Sequence, residues 1–160
     1  MAPAGSWESL HAAVSGGADS VYFGVEKMNM RTRSSHNFTA ADLPEIVDYC
    51  KKHGLLSYLT LNIVVYDEEI GEMNRLLDEA SKAGVTAVIA TDQAAILAAR
   101  EKGIGVHLST QLNVSNYEAL KFYSGWADVA VLSRELNLQQ VKMIHEAINS
   151  NNILGPGGRP

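Results

Sequence analysis

The sequence has one cysteine, Cys50, in 160 residues. One thiol forms no internal disulfide and supplies one metal ligand at most, so disulfide-stapled folds and multi-cysteine metal sites within this sequence are excluded. Basic residues are also few, since 13 Lys and Arg stand against 18 Asp and Glu, for a formal net charge of -5. This balance argues against the phosphate-binding surface that nucleic-acid modules present.

Long apolar runs are absent as well. No run approaches the roughly 20 residues that cross a bilayer as a helix. The first residues, Met1 to Ser6, have neither the basic nor the apolar region of a signal peptide. We therefore expect a cytoplasmic protein with no membrane partner. The composition, 46% hydrophobic and 19% charged, is that of a globular domain with its own core.

Short apolar runs recur along the sequence, and an amphipathic stretch follows each of them. The runs predict strands at residues 20–24, 55–62, 87–91, 105–109 and 128–133, with a further stub at 1–3. Short strands that alternate with helices are typical of βαβ units and a parallel sheet.

Helix starts are predicted in the stretches between these strands. Thr39 with Asp42, and Ser115 with Glu118, have the spacing of a capping box. Two more helices are expected to begin at Asp67 and at Asn137. The helix after Thr39 should bury the face formed by Leu43, Ile46, Val47 and Cys50. The last helix should turn Leu138, Val141, Ile144 and Ile148 inward.

Six βα units fit into the sequence, whereas a closed barrel of this type has eight strands in about 250 residues. We therefore expect an α/β fold: a parallel (β/α) barrel of TIM type over residues 1–154, incomplete at about six of eight units. Residues 155–160, rich in Gly and Pro, are expected to form a tail that leads to a missing C-terminal part. An open doubly wound sheet is the alternative. Either sheet would leave open edges, and the open edges predict self-association.

Several catalytic motifs are missing. The sequence has no G-x-S-x-G nucleophile elbow and no G-x-x-x-x-G-K phosphate loop. His145 and Glu146 begin like the zinc-protease motif, but Asn149 stands where the second histidine is needed. Catalytic residues therefore stay unassigned, and no metal ligand is expected in this sequence.

Polar residues gather after the apolar runs. In a barrel, side chains at the carboxyl ends of the strands point into one mouth, where ligands bind. Arginines at this mouth suit carboxylate or phosphate recognition. The candidate substrate-binding residues are Arg31, Asn62, His107, Ser109, Gln111, Asn113, Arg134 and Glu135. Simpler interpretations exist: Asp92 can cap the next helix, His107 can be an interior histidine, and Arg134 can pair with Glu135.

Six short stretches carry a resemblance to a known family, in the same order along the chain. They are Ala2–Ser6, Gly17–Gly24, Arg31 with Asn37–Phe38, Leu59–Asn62, His107–Asn113 and Val131–Leu136. With them the chain resembles peptidase family U32, the collagenase-like proteases, over nearly its whole length. The resemblance implies a (β/α) barrel and, by the family name, a peptidase.

Other members of this family resemble iron–sulfur enzymes that hydroxylate tRNA bases, rRNA bases or quinone precursors without oxygen. The resemblance implies that a 4Fe-4S cluster is held by cysteines outside this sequence, and Cys50 matches none of them. On this view the fragment has no cofactor and no activity alone.

Three functions remain open. They are a peptidase, a hydroxylase that holds a small anionic co-substrate at the barrel mouth, and a non-catalytic binding domain. A peptide or RNA substrate is expected to bind through the missing part.

Overall fold

The structure, a computed structural model, describes residues 1–25, 28–29 and 38–150. In these residues strands and helices alternate along the chain. The strands are β1 (Ala2–Pro3), β2 (Ser20–Phe23), β3 (Leu56–Leu61), β4 (Ala87–Ala90), β5 (Gly105–Leu108) and β6 (Val129–Ala130). The helices are α1 (Trp7–Ser15), α2 (Leu43–Lys52), α3 (Ile70–Ala83), α4 (Gln93–Glu101), α5 (Tyr117–Tyr123) and α6 (Leu138–Ser150).

The strands form one six-stranded sheet in the order β1-β2-β3-β4-β5-β6, and all neighbours are parallel. A doubly wound sheet reverses its strand order at a switch point, so the sequential order excludes that alternative. Right-handed crossovers between successive parallel strands place the connecting helices on one face of the sheet. The architecture is therefore that of six consecutive βα units, with the sequential strand order of a (β/α) barrel.

The helix-facing side of the sheet is the centre of the core. Phe23, Leu59, Val88 and Val106 form one register row across β2 to β5, and all four are buried. Their alternation with half-exposed residues follows from the two-residue period of a strand. The outward-facing row is apolar because helices cover it.

The opposite side of the sheet, here called the inner face, is only half covered. Tyr22 and Tyr58 are register partners on this face, as are Ile89 and His107, and all four are half-buried. In a closed barrel this face lines the interior, which layers of side chains fill.

Helix α2 and its cysteine match the expectation from the sequence. Leu43, Ile46, Val47 and Cys50 are all buried, and Cys50 is a free thiol. The Asp42 carboxylate accepts hydrogen bonds from the Thr39 N–H at 2.7 Å and the Thr39 hydroxyl at 2.8 Å. The capping pair thus begins this helical segment where it was predicted.

Of two other helix starts, the one at α5 differs from the prediction and the one at Asp67 agrees with it. Asn116, rather than Ser115, caps α5, and its side-chain oxygen accepts from the Ala119 N–H at 2.9 Å. Asp67 opens a 3-10 turn that leads into α3, and Tyr66 is the residue that precedes it. The Tyr66 N–H donates to the Glu69 carboxylate at 2.9 Å, so the acidic residue of the pair lies inside the turn.

The last helix is placed correctly but is less buried than expected. Asn137 and Gln140 exchange reciprocal hydrogen bonds of 2.8 and 2.9 Å at its start. Ile144 is buried, whereas Leu138, in the first turn of the helix, is 84% exposed. The expectation that Leu138 faces inward was therefore wrong.

Both edge strands are short. The strand predicted at 128–133 pairs only at Val129 and Ala130, and Val129 is 45% exposed. An edge strand has a neighbour on one side only, so little holds its continuation in the sheet. Self-association through these edges stays a prediction.

The tail predicted at residues 155–160, and Arg31, lie outside the described residues. Among the residues that are described, no helix is long and apolar enough to cross a membrane.

Candidate functional site at the carboxyl edge of the sheet

The candidate residues that the structure describes follow the carboxyl ends of successive parallel strands. Asn62 follows β3, Thr91 follows β4 and Ser109 follows β5, while Arg134 lies four residues beyond the end of β6. Because the strands are parallel and adjacent, these positions share one edge of the sheet, as predicted. Asn62 is half-buried and Arg134 is exposed.

The best-defined group at this edge is a cluster of Thr91, Ser109 and Gln111. The side-chain oxygen of Gln111 accepts from the Thr91 hydroxyl at 3.1 Å and from the Ser109 hydroxyl at 3.3 Å. Two donors on one oxygen fix the orientation of the amide and place its NH2 group on the opposite side. The cluster joins the ends of β4 and β5 through neutral polar side chains.

The backbone after β5 explains how this cluster is held. The Ser109 N–H donates to the Ala90 carbonyl at 2.9 Å, which extends the β4–β5 ladder by one bond. The chain then enters a 3-10 turn over Thr110–Leu112, and the Ser109 hydroxyl oxygen accepts from the Gln111 N–H at 3.4 Å. Ser109 is itself buried, so the cluster is built on a rigid strand end.

Asn113 has a conformational role in this turn. Its φ of 51° lies in the left-handed region, which few residues other than Gly, Asn and Asp adopt readily. Its N–H donates to the Thr110 carbonyl at 3.0 Å. The asparagine therefore ends the turn after β5, which accounts for its residue type without a ligand.

Asp92 is the helix cap that the sequence predicted. One carboxylate oxygen accepts from the Ala94 N–H at 2.8 Å at the start of α4. The other accepts from the Val65 N–H at 3.2 Å, in the loop that follows β3. Both oxygens accept backbone hydrogen bonds, so Asp92 shapes the edge by joining the start of α4 to the loop after β3.

The segment after β6 brings Ser133 and Glu135 together. The Ser133 N–H donates to the Val114 carbonyl at 2.9 Å, which ties this segment to the loop after β5. The Ser133 hydroxyl donates a hydrogen bond to the Glu135 carboxylate. This bond is the main reason that the pKa of Glu135 is lowered, and the Arg134 charge lowers it further. Glu135 is thus an exposed carboxylate at neutral pH.

His107 lies on the inner face, two residues before Ser109. Its ring packs against the ring of Tyr58 with the centroids 4.7 Å apart and the planes at 50°. Burial lowers the pKa of His107, and the negative charge of Asp128 partly opposes this shift. Sequence reasoning did not single out Tyr58. The available signal was a pair of small residues, because the register places Ala87 beside Tyr58 and Gly105 beside Ala87.

An apolar cavity lies away from the polar cluster, since none of Thr91, Ser109 and Gln111 lines it. It has a volume of about 290 Å³ and opens between the β6 edge and helices α5 and α6. Its walls include Leu120, Val129 and Ile144. Its walls also carry Ser124, Asp128 and His145, but the Asp128 carboxylate is already engaged by the Arg100 guanidinium and the Val106 N–H. We therefore place the candidate site at the carboxyl edge.

The described residues do not fit an iron–sulfur cluster or another metal ion. Among residues 1–25, 28–29 and 38–150, no group of three His, Cys, Asp or Glu side chains is arranged to hold a metal. Cys50 is the single thiol of the sequence, and it is buried on the core face of α2, away from the carboxyl edge. Four thiolate ligands cannot come from this chain.

Comparison with known proteins gives both close and distant relatives. The chain is 58% identical over 160 residues to a protein named "Collagenase" from Porphyromonas gingivalis (strain ATCC BAA-308 / W83), which covers all of this chain and 39% of the relative. It is 33% identical over 152 residues to "tRNA hydroxylation protein P1" of Bacillus subtilis (strain 168), covering 93% of this chain and 36% of that protein. The chain thus spans less than half the length of these relatives.

A solved structure shares the fold. "The Structure of the U32 Peptidase Mk0906" superimposes with a TM-score of 0.72 at 22% identity, over 91% of this chain and 65% of that one. The family model described as "Peptidase family U32" matches residues 5–153 of this chain. The resemblance read from the sequence is therefore confirmed, and the chain belongs to peptidase family U32.

Proposed function

We propose that the complete protein hydroxylates bases of RNA and that this chain supplies part of the pocket for a small anionic co-substrate. The observation that carries the proposal is the cluster of Thr91, Ser109 and Gln111, with the exposed guanidinium of Arg134 at the same edge. A guanidinium at the same edge as neutral polar side chains suits a small carboxylate. The net charge of -5 supports contact with RNA through another part of the protein rather than through this chain.

The hydrogen bonds of the two buried serines at this edge favour this proposal over peptide hydrolysis. A serine nucleophile passes its proton to a base such as histidine. The Ser109 hydroxyl donates to the Gln111 amide oxygen, and the Ser133 hydroxyl donates to Glu135. An amide oxygen is not a base, and the lowered pKa of Glu135 makes it a weak one.

Arg134 has the role of holding the carboxylate. A guanidinium binds a carboxylate through two parallel hydrogen bonds, and a charged hydrogen bond is worth about 1.5–3 kcal/mol. In the complete protein, Arg134→Ala should weaken the binding of succinate, used as a dicarboxylate probe, by at least roughly tenfold. Arg75→Ala is the matched control, because Arg75 is exposed on α3 in the outer helical layer. Equal affinity of the two variants would remove Arg134 from the site. Arg31, the other predicted cation, is tested by Arg31→Ala in the same assay.

Peptide hydrolysis is the second candidate function. It is favoured by the 58% identity to a relative named collagenase. One pair of assays separates the two: mass spectrometry of RNA nucleosides from cells with and without the complete gene, and gelatin degradation by the purified complete protein. We expect hydroxylated nucleosides to disappear with the gene and gelatin to stay intact. Gelatin degradation with unchanged nucleosides would establish the peptidase instead.

A further inference from the structure

Small residues on the neighbouring strands leave room for the contact between Tyr58 and His107. Tyr58 lies in register with Ala87 on β4, and Ala87 lies in register with Gly105 on β5. A Cβ at Gly105 would lie 2.9 Å from the Thr86 carbonyl oxygen and 3.2 Å from the Ala87 Cβ, so no larger side chain fits there. Small residues at two successive positions leave room for the Tyr58 ring to reach the third strand, where His107 lies.

The burial of Ala87 supports this arrangement. Ala87 belongs to the half-covered inner face, yet it is only 1% exposed. The register partners of Ala87 are Tyr58 and Gly105, and of these two only Tyr58 has a side chain that can cover it. An aromatic ring that leans across β4 accounts for the burial of Ala87 and for the 4.7 Å ring contact with His107.

The position of His107 relates this pair to the polar cluster. Side chains two residues apart on a strand point to the same face, so His107 and Ser109 share the inner face about 7 Å apart along β5. Ser109 is a member of the hydroxyl and amide cluster. On the inner face, His107 therefore lies one side-chain position closer to the amino-terminal edge of the sheet than the cluster member Ser109.

We propose that Tyr58 is a positioning residue, which holds the imidazole of His107 beneath Ser109 as a neutral hydrogen-bonding group facing the co-substrate. The contact with a co-substrate rests on the proposed function, whereas the hold of Tyr58 on His107 stands on the geometry alone. In the part of the chain that the structure describes, two ionisable side chains act on this imidazole, Tyr58 by ring contact and Asp128 by its charge. A neutral imidazole both donates and accepts a hydrogen bond, so it can orient a carbonyl or hydroxyl group.

The first test is a pH titration of the His107 ring signals by nuclear magnetic resonance, in the chain and three variants. Tyr58→Leu removes the ring that shields the imidazole, so the pKa of His107 should rise toward its ordinary value. Tyr58→Phe keeps the ring and should leave the titration unchanged. Tyr66→Leu is the matched control, since Tyr66 is 62% exposed and lies beyond the end of β3. A Tyr58→Leu variant that titrates like the unaltered chain would overturn the proposal.

Tyr58→Leu can fail to fold, and two further measurements keep the proposal testable. In the unaltered chain, nuclear Overhauser effects should connect the ring protons of Tyr58 and His107, and their absence overturns the contact. In the complete protein, Tyr58→Leu should lose more hydroxylation activity near pH 6 than near pH 8, because a raised pKa protonates His107 at the lower pH. An equal loss at both would mean that Tyr58 only supports the fold. Absence of all hydroxylation would refute the proposed function and leave the titration to decide on Tyr58.

Discussion

At the amino-terminal end of the sheet, removal of the Asp128 side chain should lower the free energy of unfolding more than removal of most other side chains. Its carboxylate accepts from the Arg100 guanidinium at 3.1 and 3.4 Å and from the Val106 N–H at 2.8 Å. These bonds join α4, β5 and the start of β6. The strand β6 has only two paired residues, so the carboxylate of Asp128 carries much of its attachment.

The expected cost follows from the two kinds of bond. The ion pair is about a third exposed, at 32% and 29% for the two side chains, so we discount it to about 1 kcal/mol for solvent screening. Loss of the acceptor for the Val106 N–H costs about 1–3 kcal/mol, because Val106 is buried. Asp128→Ala should therefore lower the free energy of unfolding by about 2–4 kcal/mol. Asp128→Asn keeps an acceptor oxygen and should cost about 1 kcal/mol.

Urea unfolding followed by circular dichroism measures both variants. Asp48→Ala is the matched control, because the Asp48–Lys52 pair is 62% and 69% exposed and should contribute less than about 0.5 kcal/mol. Arg100→Met combined with Asp128→Asn closes a double-mutant cycle for the pair. An Asp128→Ala variant as stable as the Asp48→Ala control would refute the reasoning.

Three further predictions concern other residues. Burial raises the pKa of Cys50, so a thiol reagent should label it far more slowly in the folded chain than in urea, and equal rates would contradict its burial. Asp92→Ala removes the α4 cap and the acceptor for Val65, and it should cost about 1–3 kcal/mol in urea unfolding, whereas an unchanged midpoint would contradict that role. Because the pKa of His107 is lowered on folding, the unfolded chain binds more protons just below the ordinary histidine value. Stability should therefore fall as the pH drops through that region. In thermal melts recorded at a series of pH values, His107→Gln should make this fall in stability less steep. An unchanged slope would contradict this role of His107.

The sequence was sufficient to predict most of the fold. Alternating apolar runs located all six strands, because burial of one strand face against helices imposes a strict pattern. The Thr39–Asp42 and Asn137 caps were also predictable, since their partners lie within the same turn. Burial of Cys50 followed from the spacing of Leu43, Ile46 and Val47 on one helical face.

Features that depend on neighbouring strands were harder to predict. The length of β6 depends on how many neighbours the strand has, which the run at 128–133 does not encode. Ser115 and Asn116 are both good caps, and the choice between them depends on where the preceding loop enters the helix. The Thr91–Gln111 bond joins residues 20 positions apart, and the Tyr58–His107 contact depends on a register that the sequence alone does not fix.

We propose above that the cluster at the carboxyl edge binds the co-substrate of a hydroxylation reaction. The most direct test complements a strain lacking the complete gene with Gln111→Ala and measures hydroxylated nucleosides in its RNA by mass spectrometry. Ser81→Ala is the control, since Ser81 is exposed on α3 and its hydroxyl donates to the Lys102 carbonyl. At equal protein levels, we expect Gln111→Ala to lower the hydroxylation rate by roughly tenfold, the value of about one hydrogen bond to a charged ligand, and the control to restore it fully. Full restoration by Gln111→Ala would contradict the account.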